Sequence, residues 1–465
     1  MQFTELLHSR NPWWLAPTAR LASEHPRRRT AFDVLWSAAA GPATGRACVL
    51  LGPRQVGKTV LLEQVADALL DTGWAPAQIT YFDFSDERLA TTTSLRDIVD
   101  FEPPGLRADQ ARIYLLDEIS RSPNWSDALK QVVDRSRRVP VQVRDRFIVT
   151  DSASSALRTG ARDSLQGRVD EPRILGLSFS EFVSLQTRDG ESTDDALARL
   201  PNAAERYLSI GGFPEHLFAS SYENVRRRIR EDICDRAIGR DLSRRGIDTD
   251  RVQSLFVALV QDSGGIFEAT KRARDIDGGL ATSGTDVRTV QAWLRLLEDG
   301  CLVTVLPPRR ATQKNGRMRG AQQLRARPRV YPSDHGMVPA FAPFLDPMSR
   351  PDVRGKVLEA AVLRHLRGVR DARADFELSF YREGEQHDLD FVIDFHDRSL
   401  GVETTMSRDP RKDLAKKGTA AERAGVDSLV IVHGGSEDTR IDKLRLVPFD
   451  KFLRDPESFI YEAKP

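Results

Sequence analysis

Gly52-Pro53-Arg54-Gln55-Val56-Gly57-Lys58-Thr59 constrains this chain more than any other stretch. It fits the pattern G-x-x-x-x-G-K-S/T, with the apolar run "ACVLL" before it and the amphipathic "TVLLEQVADALL" after it. A strand that feeds a tight glycine loop and then a helix turns successive backbone N–H groups inward, and the helix N-terminus adds a fixed positive potential. Gly52, Pro53, Arg54, Gln55, Val56, Gly57, Lys58 and Thr59 are therefore expected to wrap the phosphates of a nucleotide. Lys58 should reach the β and γ phosphates, and Thr59 should place its hydroxyl on magnesium.

The second half of such a site is an acid at the end of a neighbouring strand. "RIYLLDEIS" supplies Asp117 and Glu118 directly after an apolar run. Asp117 is expected to hold the magnesium through water, and Glu118 to orient and deprotonate the attacking water. Asp151 and Ser152 end a third apolar run, "RFIVT", where a polar side chain can touch the γ-phosphate or the water; both residue types also end strands for turn reasons alone. Arg168, in "SLQGRVDEP", could stabilise charge developing on the phosphate, from its own or a neighbouring subunit, or be an ordinary surface arginine.

Composition sets outer bounds. At 465 residues, 40% hydrophobic and 29% charged, the chain can bury about three cores and is too apolar for wholesale disorder. A net charge of +1 gives no global nucleic-acid signature, so any such signal has to be local. Cys48, Cys234 and Cys301 lie far apart, which argues against a disulfide framework or a zinc site. No apolar run nears the roughly 20 residues that span a bilayer, and "MQFTELLHSRNPWW" lacks a signal-peptide core. A cytoplasmic protein without a membrane partner is the expectation.

Along the chain, residues 1–45 form an irregular segment whose Trp13 and Trp14 should pack against the adjoining domain. Residues 46–175 alternate short Val/Ile/Leu runs with helical patterns, the mark of a parallel sheet covered on both faces. Residues 176–250 read as helical. Between 251 and 335, three helices are followed by a β-hairpin that begins at "CLVTVLPP", the winged-helix pattern; Val287, Val290, Leu294 and Leu297 stripe the third helix. From about 350 to 465, a helix, strands "FELSFYRE", "LDFVIDF" and "LGVETT", another helix and "SLVIVHG" make a further α/β domain.

With these motifs placed, "NPWW", "GPRQVGKT", "LLDEI", "GRV" before "LSFSEF", "YLSIGGFPE" and the late "LDFVID" resemble prokaryotic ATP-binding proteins of the AAA+ superfamily. In these an ATPase module precedes a winged helix and a domain similar to PD-(D/E)xK restriction endonucleases. The resemblance extends over almost the entire chain. It implies an α/β fold: a P-loop parallel-sheet ATPase core with helical lid, a winged helix, and a C-terminal α/β endonuclease-like domain. ATP and Mg2+ are the cofactors it implies, with scope for homo-oligomers. One departure is "TDSAS", where relatives carry glycine and serines, which unsettles the role of Asp151.

Two features of the second half bear on partners. The third helix exposes Arg288, Gln291 and Arg295 away from its apolar stripe, where a winged helix meets the major groove. The segment from Pro307 to Arg329 carries Arg309, Arg310, Lys314, Arg317, Arg319, Arg325, Arg327 and Arg329 with no acid, a pattern suited to phosphate contact; solvated or protein-packing wings are the competing reading. In "LDFVIDFHDRSLGVETT", a turn that sets Phe395 opposite Leu400 would put Thr405 opposite Asp390, with Glu403 its diagonal neighbour. Asp390, Glu403 and Glu359 are then candidate ligands of a degenerate nuclease metal site. Thr405 stands where a lysine is expected; Lys412, Lys416 or Lys417 on the next helix could swing in to replace it, a solvated helix face being the commoner explanation for such lysines. The leading expectation is an ATPase whose nucleotide cycle controls DNA engagement, with little or no cleavage; a protein-binding switch and an ATP-regulated defence nuclease are the alternatives.

Overall fold

Each apolar run of the first half forms a strand of one sheet, and each strand is almost wholly buried, as both-face coverage requires. The computed structural model describes residues 3–85, 93–150, 165–240, 247–276, 285–309, 327–384, 387–412 and 414–462. Asp151, Ser152, Arg310, Lys314, Arg317, Arg319 and Arg325 lie outside them. The chain divides into two units, Met1–Ile174 and Leu175–Pro465.

In the first unit the strands are β1 (Ala47–Leu50), β2 (Ile79–Asp83), β3 (Ile113–Asp117), β4 (Arg146–Thr150) and β5 (Val169–Asp170). All pair in parallel in the order β2-β3-β4-β1-β5. Helices α1 (Phe3–Arg10), α2 (Ala31–Ala40), α3 (Lys58–Asp71), α4 (Leu95–Asp100) and α5 (Trp125–Ser136) complete this α/β core. Because β4 lies between β1 and β3, their C-terminal ends bring Gly52, Asp117 and Thr150 to one rim.

The free edge of β2 is closed by the segment before α2. The Asn11 amide acts as a piece of strand: its Nδ2 donates to the Tyr81 carbonyl at 2.9 Å, and its Oδ1 accepts the Tyr81 N–H at 2.7 Å. Trp13 and Trp14 both donate their indole N–H to the Ile79 carbonyl. An uncovered edge would offer these same groups to another chain, so "NPWW" is a built cap on the sheet.

The second unit opens with helices that include α6 (Phe179–Ser184) and α7 (Ala203–Ile210). Then come α8 (Thr249–Gln261), α9 (Ala269–Ile276) and α10 (Val287–Asp299), before an antiparallel pair, β6 (Val303–Leu306) and β7 (Arg329–Pro332). On α10, Val290, Trp293, Leu294 and Leu297 are buried, so Trp293 joins the expected stripe and Val287 sits at its margin. The last part has α11 (Pro351–Arg373), then β8 (Glu377–Glu383), β9 (His387–Asp394), β10 (Ser399–Thr405), α12 (Leu414–Ala424), β11 (Ser428–His433), β12 (Thr439–Ile441) and β13 (Leu444–Pro448). These strands form a six-stranded mixed sheet in the order β12-β13-β11-β10-β9-β8.

The motif "SIGGFPE" has a structural reason here. Asp334, buried, accepts the N–H groups of Gly212 and Gly336 at 2.9 Å each. Gly211 has φ +80°, and a Cβ there would lie 2.2 Å from the Asp334 carboxylate. Only glycine lets the carboxylate approach the backbone this closely. Beside it, His365 accepts the Phe179 N–H on Nε2 and donates from Nδ1 to the Ala361 carbonyl, which selects a neutral ring. Among the described residues no helix is long and apolar enough to cross a membrane.

Candidate functional site

Gly57, at φ 90°, turns the loop into α3, a conformation that favours glycine. Gln55 is also left-handed, at φ 60°. Gly52, Pro53 and Val56 are buried, while Arg54, Gln55 and Gly57 are half-exposed. Lys58 is buried, and its ammonium donates to the carbonyls of Gly52 at 2.9 Å and Pro53 at 2.6 Å, so it lies within the loop's curve. Arg29, also buried, donates to the Val56 carbonyl at 2.7 Å and steadies the loop from the N-terminal segment.

Asp117 ends β3 with 3% of its surface exposed. The Thr59 hydroxyl donates to its Oδ2 at 2.5 Å, and the Thr150 hydroxyl donates to its Oδ1. Burial pushes the Asp117 carboxyl above its ordinary range, and the two hydroxyl donors oppose that rise. Thr150 is a site residue that sequence reasoning misses, although it ends "RFIVT" one position before Asp151. Glu118 sits in a left-handed turn, φ 49°, with its carboxylate paired to Arg121 Nε at 2.8 Å. On α3, burial and the nearby Asp117 raise the Glu63 carboxyl to about 7. Hydroxyl and carboxylate oxygens are the hard donors that Mg2+ prefers, so Thr59 and Asp117 fit that ion.

Arg168 stands elsewhere. Its carbonyl accepts the Ala47 N–H, level with the start of β1, and its guanidinium pairs with Asp134 on α5 at 2.8 Å. From Ala47 to Gly52 the chain climbs roughly 16 Å at about 3.3 Å per residue. Arg168 therefore lies at the opposite edge of the sheet from the phosphate loop, and contact with its own chain's phosphate is corrected by the fold.

A second polar centre lies in the C-terminal sheet. β9 and β10 pair Leu400 with Ile393 and Val402 with Phe391, two residues away from the expected register. The turn closes between Phe395 and Arg398, so it is tighter than expected. A two-residue shift keeps every side chain on its face, and it brings Glu403 level with Asp390 instead of diagonal to it. The Asp390 N–H donates to Glu403 Oε1 at 3.3 Å, and Thr404 donates both N–H and hydroxyl to Asp390 Oδ2 at 2.9 Å. Lys417 is no solvated lysine: its ammonium pairs with Glu403 at 2.6 Å, whereas Lys412 and Lys416 are exposed. Burial, then Asp390, holds Glu403 well above the usual carboxylate range; burial opposes the charge on Lys417, but Glu403 and Asp390 outweigh it and raise the amine.

Arg329, the first residue of β7, enters the same centre. Its guanidinium lies 3.3 Å from Asp388, 3.6 Å from Asp390 and 3.7 Å from Glu359, with 7% of its side chain exposed. Tyr331, two residues on and hence on the same face of the strand, donates to Glu359 at 2.7 Å. Burial, then Asp390, raises the Glu359 carboxyl to about 8. The expectation that Glu359, Asp390 and Glu403 gather as metal ligands is corrected here. Among the described residues no group of three or more such side chains could hold a metal ion, and cationic side chains stand against these three instead. The residues present do not fit a resident metal here.

The expected basic wing is also partly corrected. Arg309 is buried and grips Asp394 through two guanidinium nitrogens, while Arg327 pairs with Glu268 at 2.5 Å. With Arg329 turned inward, three of the eight cations are compensated by acids of other elements, pairings that the acid-free segment could not reveal. Arg288, Gln291 and Arg295 are exposed on α10.

Known proteins share parts of this arrangement. The family described as "AAA domain" matches residues 44–183, and two domains of unknown function, DUF8612 and DUF4143, match 202–347 and 354–452. An uncharacterized protein of Haemophilus influenzae is 28% identical over 257 residues, 55% of this chain and 60% of that protein. The chain thus spans less than two thirds of that relative. An uncharacterized protein of Mycobacterium tuberculosis is 26% identical over 444 residues, covering 94% of this chain and 87% of its own. Among solved structures, a Walker-type ATPase of Pyrococcus abyssi aligns over 70% of this chain and 99% of its own, at 12% identity and a TM-score of 0.42. The Aeropyrum pernix ORC2 protein aligns over 63% and 91%, at 13% and 0.37. The match to the AAA domain and the phosphate loop set against a buried acid coincide on the same residues, and this part of the chain has the parallel-sheet α/β fold of a P-loop core.

Proposed function

We propose that this chain is a magnesium-dependent ATP hydrolase whose nucleotide state controls DNA engagement by its second unit. The observation that carries the hydrolase reading is the Asp117 carboxylate, buried at the sheet rim and held by Thr59 and Thr150. Thr59 and Asp117 would hold magnesium, which supplies positive charge to the phosphate oxygens. The rest falls to this chain. Backbone N–H groups of the loop bind and orient the phosphates. Lys58 holds the β and γ oxygens in line. Glu118 takes the proton of the attacking water once its carboxylate leaves Arg121.

The DNA half rests on Arg288, Gln291 and Arg295, which share the solvent face of α10, the third helix before an antiparallel hairpin. Arg317, Arg319 and Arg325 would add backbone contacts and Arg327 a weaker one, because it already has Glu268. A second reading, an ATP-regulated nuclease, gains from one observation: Lys417 stands against Glu403, so a lysine is present after all. Arg329 argues against it by occupying the carboxylate centre.

ATP turnover with and without Mg2+ tests the proposal, alongside Lys58→Ala and Glu118→Gln. Wild type should hydrolyse ATP only with Mg2+. Lys58→Ala should lose binding. Glu118→Gln should bind ATP and turn over roughly 10²- to 10⁴-fold more slowly. Unchanged turnover in Glu118→Gln removes Glu118 as the base.

A further inference from the structure

Asp388, Asp390, Glu359 and Glu403 come from three elements, β9, β10 and α11, and meet in one partly buried centre. Carboxylates brought this close in low dielectric repel each other unless a cation sits among them. Two side chains do so here, from two further elements: Arg329 from β7 and Lys417 from α12. Arg329 is the better placed. One of its η nitrogens lies 3.6 Å from Asp390 and 3.7 Å from Glu359, the other 3.3 Å from Asp388. Its flat face rests on the Phe380 ring, 4.8 Å from the centroid. Among the described residues its buried Nε makes no hydrogen bond, so the group is held by one hydrogen bond to Asp388, by charge and by stacking instead of a saturated donor set. A guanidinium is always charged and weakly hydrated, which suits it to burial among acids.

We infer that Arg329 is the resident cation of this centre, standing where a divalent ion would otherwise be bound, so that the wild-type centre takes no divalent metal and becomes a metal site when Arg329 is removed. This rests on the reading of Asp390, Glu403 and Glu359 as a nuclease-like carboxylate set. The consequence is structural as well as chemical. β7 belongs to the hairpin after α10, so a residue of the three-helix module closes the acid centre of the C-terminal sheet. The centre is silent while that strand is seated, and a metal can enter only as Arg329 leaves.

The test is thermal unfolding of the full chain, without nucleotide, at increasing Mn2+. Wild type should show no rise in melting temperature that depends on Asp390. Arg329→Met, left with uncompensated acids, should melt lower without metal and rise steeply with Mn2+, since a ligand bound only by the folded state stabilises it. The rise should vanish in Arg329→Met with Asp390→Asn. Arg329→Lys, which keeps a cation in place, should respond like wild type and guards against misfolding of the methionine variant. A wild-type response abolished by Asp390→Asn would overturn the proposal while leaving a nuclease-like metal set intact. A folded Arg329→Met that ignores Mn2+ would overturn both.

Discussion

At the scale of single residues, the two centres use the same chemistry in opposite ways. Asp117 is buried with two hydroxyls and the Glu118 N–H as its hydrogen-bond donors, so its charge is left for a cation. Asp390 is half-buried beside a guanidinium, so its charge is answered from within the chain. The neutral histidines under the glycine motif give a further consequence. Burial holds His365 well below its ordinary pKa of 6.5 and lowers His335 as well. A protonated His365 would turn an N–H against the Phe179 N–H that it now accepts. Because the folded pKa is depressed, the unfolded chain binds more protons below about pH 6.5, and stability must fall as pH drops through that value. Each histidine can contribute a slope of up to about 1.4 kcal/mol per pH unit. Urea unfolding across pH 7.5 to 5 should therefore show a falling midpoint, and His365→Gln should be less stable at pH 7.5 but less sensitive to acid. An unchanged slope in that variant would sever the histidine from the acid response. Glu359, raised to about 8, acts with the opposite sign and favours the fold at lower pH, so the comparison between variants is the informative one.

At the scale of elements, local pattern is legible in the sequence. The strands of the ATPase sheet and the phosphate loop follow from runs and spacings within a few residues of each other. The same holds for α10, where Arg288, Gln291 and Arg295 do face solvent. What escapes a reading of the sequence depends on pairing between distant segments. Arg329 and Glu359 belong to different elements, as do Lys417 and Glu403, and neither pairing has a local spacing. The β9–β10 register differs by two because alternation of faces is identical in both alignments. "NPWW" belongs to the same class: its position on β2 is written nowhere near β2. That edge cap makes a testable unit. Asn11→Ala would strip the Tyr81 N–H and carbonyl of both partners while leaving the tryptophans in place. Unsatisfied buried backbone groups cost about 1–3 kcal/mol in such cases, and an opened edge invites pairing with other chains. The variant should unfold at lower urea and aggregate faster, which light scattering would detect. If Asn11→Ala matches wild type in both, the cap is ornamental and the tryptophans alone hold the segment.

For the whole molecule, the question is whether nucleotide and DNA sense each other. A nucleotide can shift DNA affinity only by binding two states of the protein differently, and linkage makes the effect reciprocal: the factor by which ATP changes DNA affinity is the factor by which DNA changes ATP affinity. That equality is a sharper test than stimulation of turnover, which chemistry or product release could also produce. Glu118→Gln is the proper background, because it is expected to hold ATP without consuming it. DNA affinity should be measured at low salt with ATP and with ADP, and ATP affinity with and without duplex. Coupling of 1–3 kcal/mol, about 5- to 150-fold, is the usual range. The charge assignments make a further demand. Arg309 and Arg329 are committed to Asp394 and to the acid centre, so they should not contribute to the salt dependence of binding. Replacing Arg317, Arg319 and Arg325 with Gln should flatten the salt slope by roughly one unit per lost phosphate contact. Replacing Arg288, Gln291 and Arg295 with Ala should weaken binding at the groove. Matching factors in both directions, removed by the α10 substitutions, would establish control of DNA engagement by the nucleotide. DNA binding that ignores ATP, with ATP binding that ignores DNA, would leave an ATPase and a DNA-binding module merely sharing a chain.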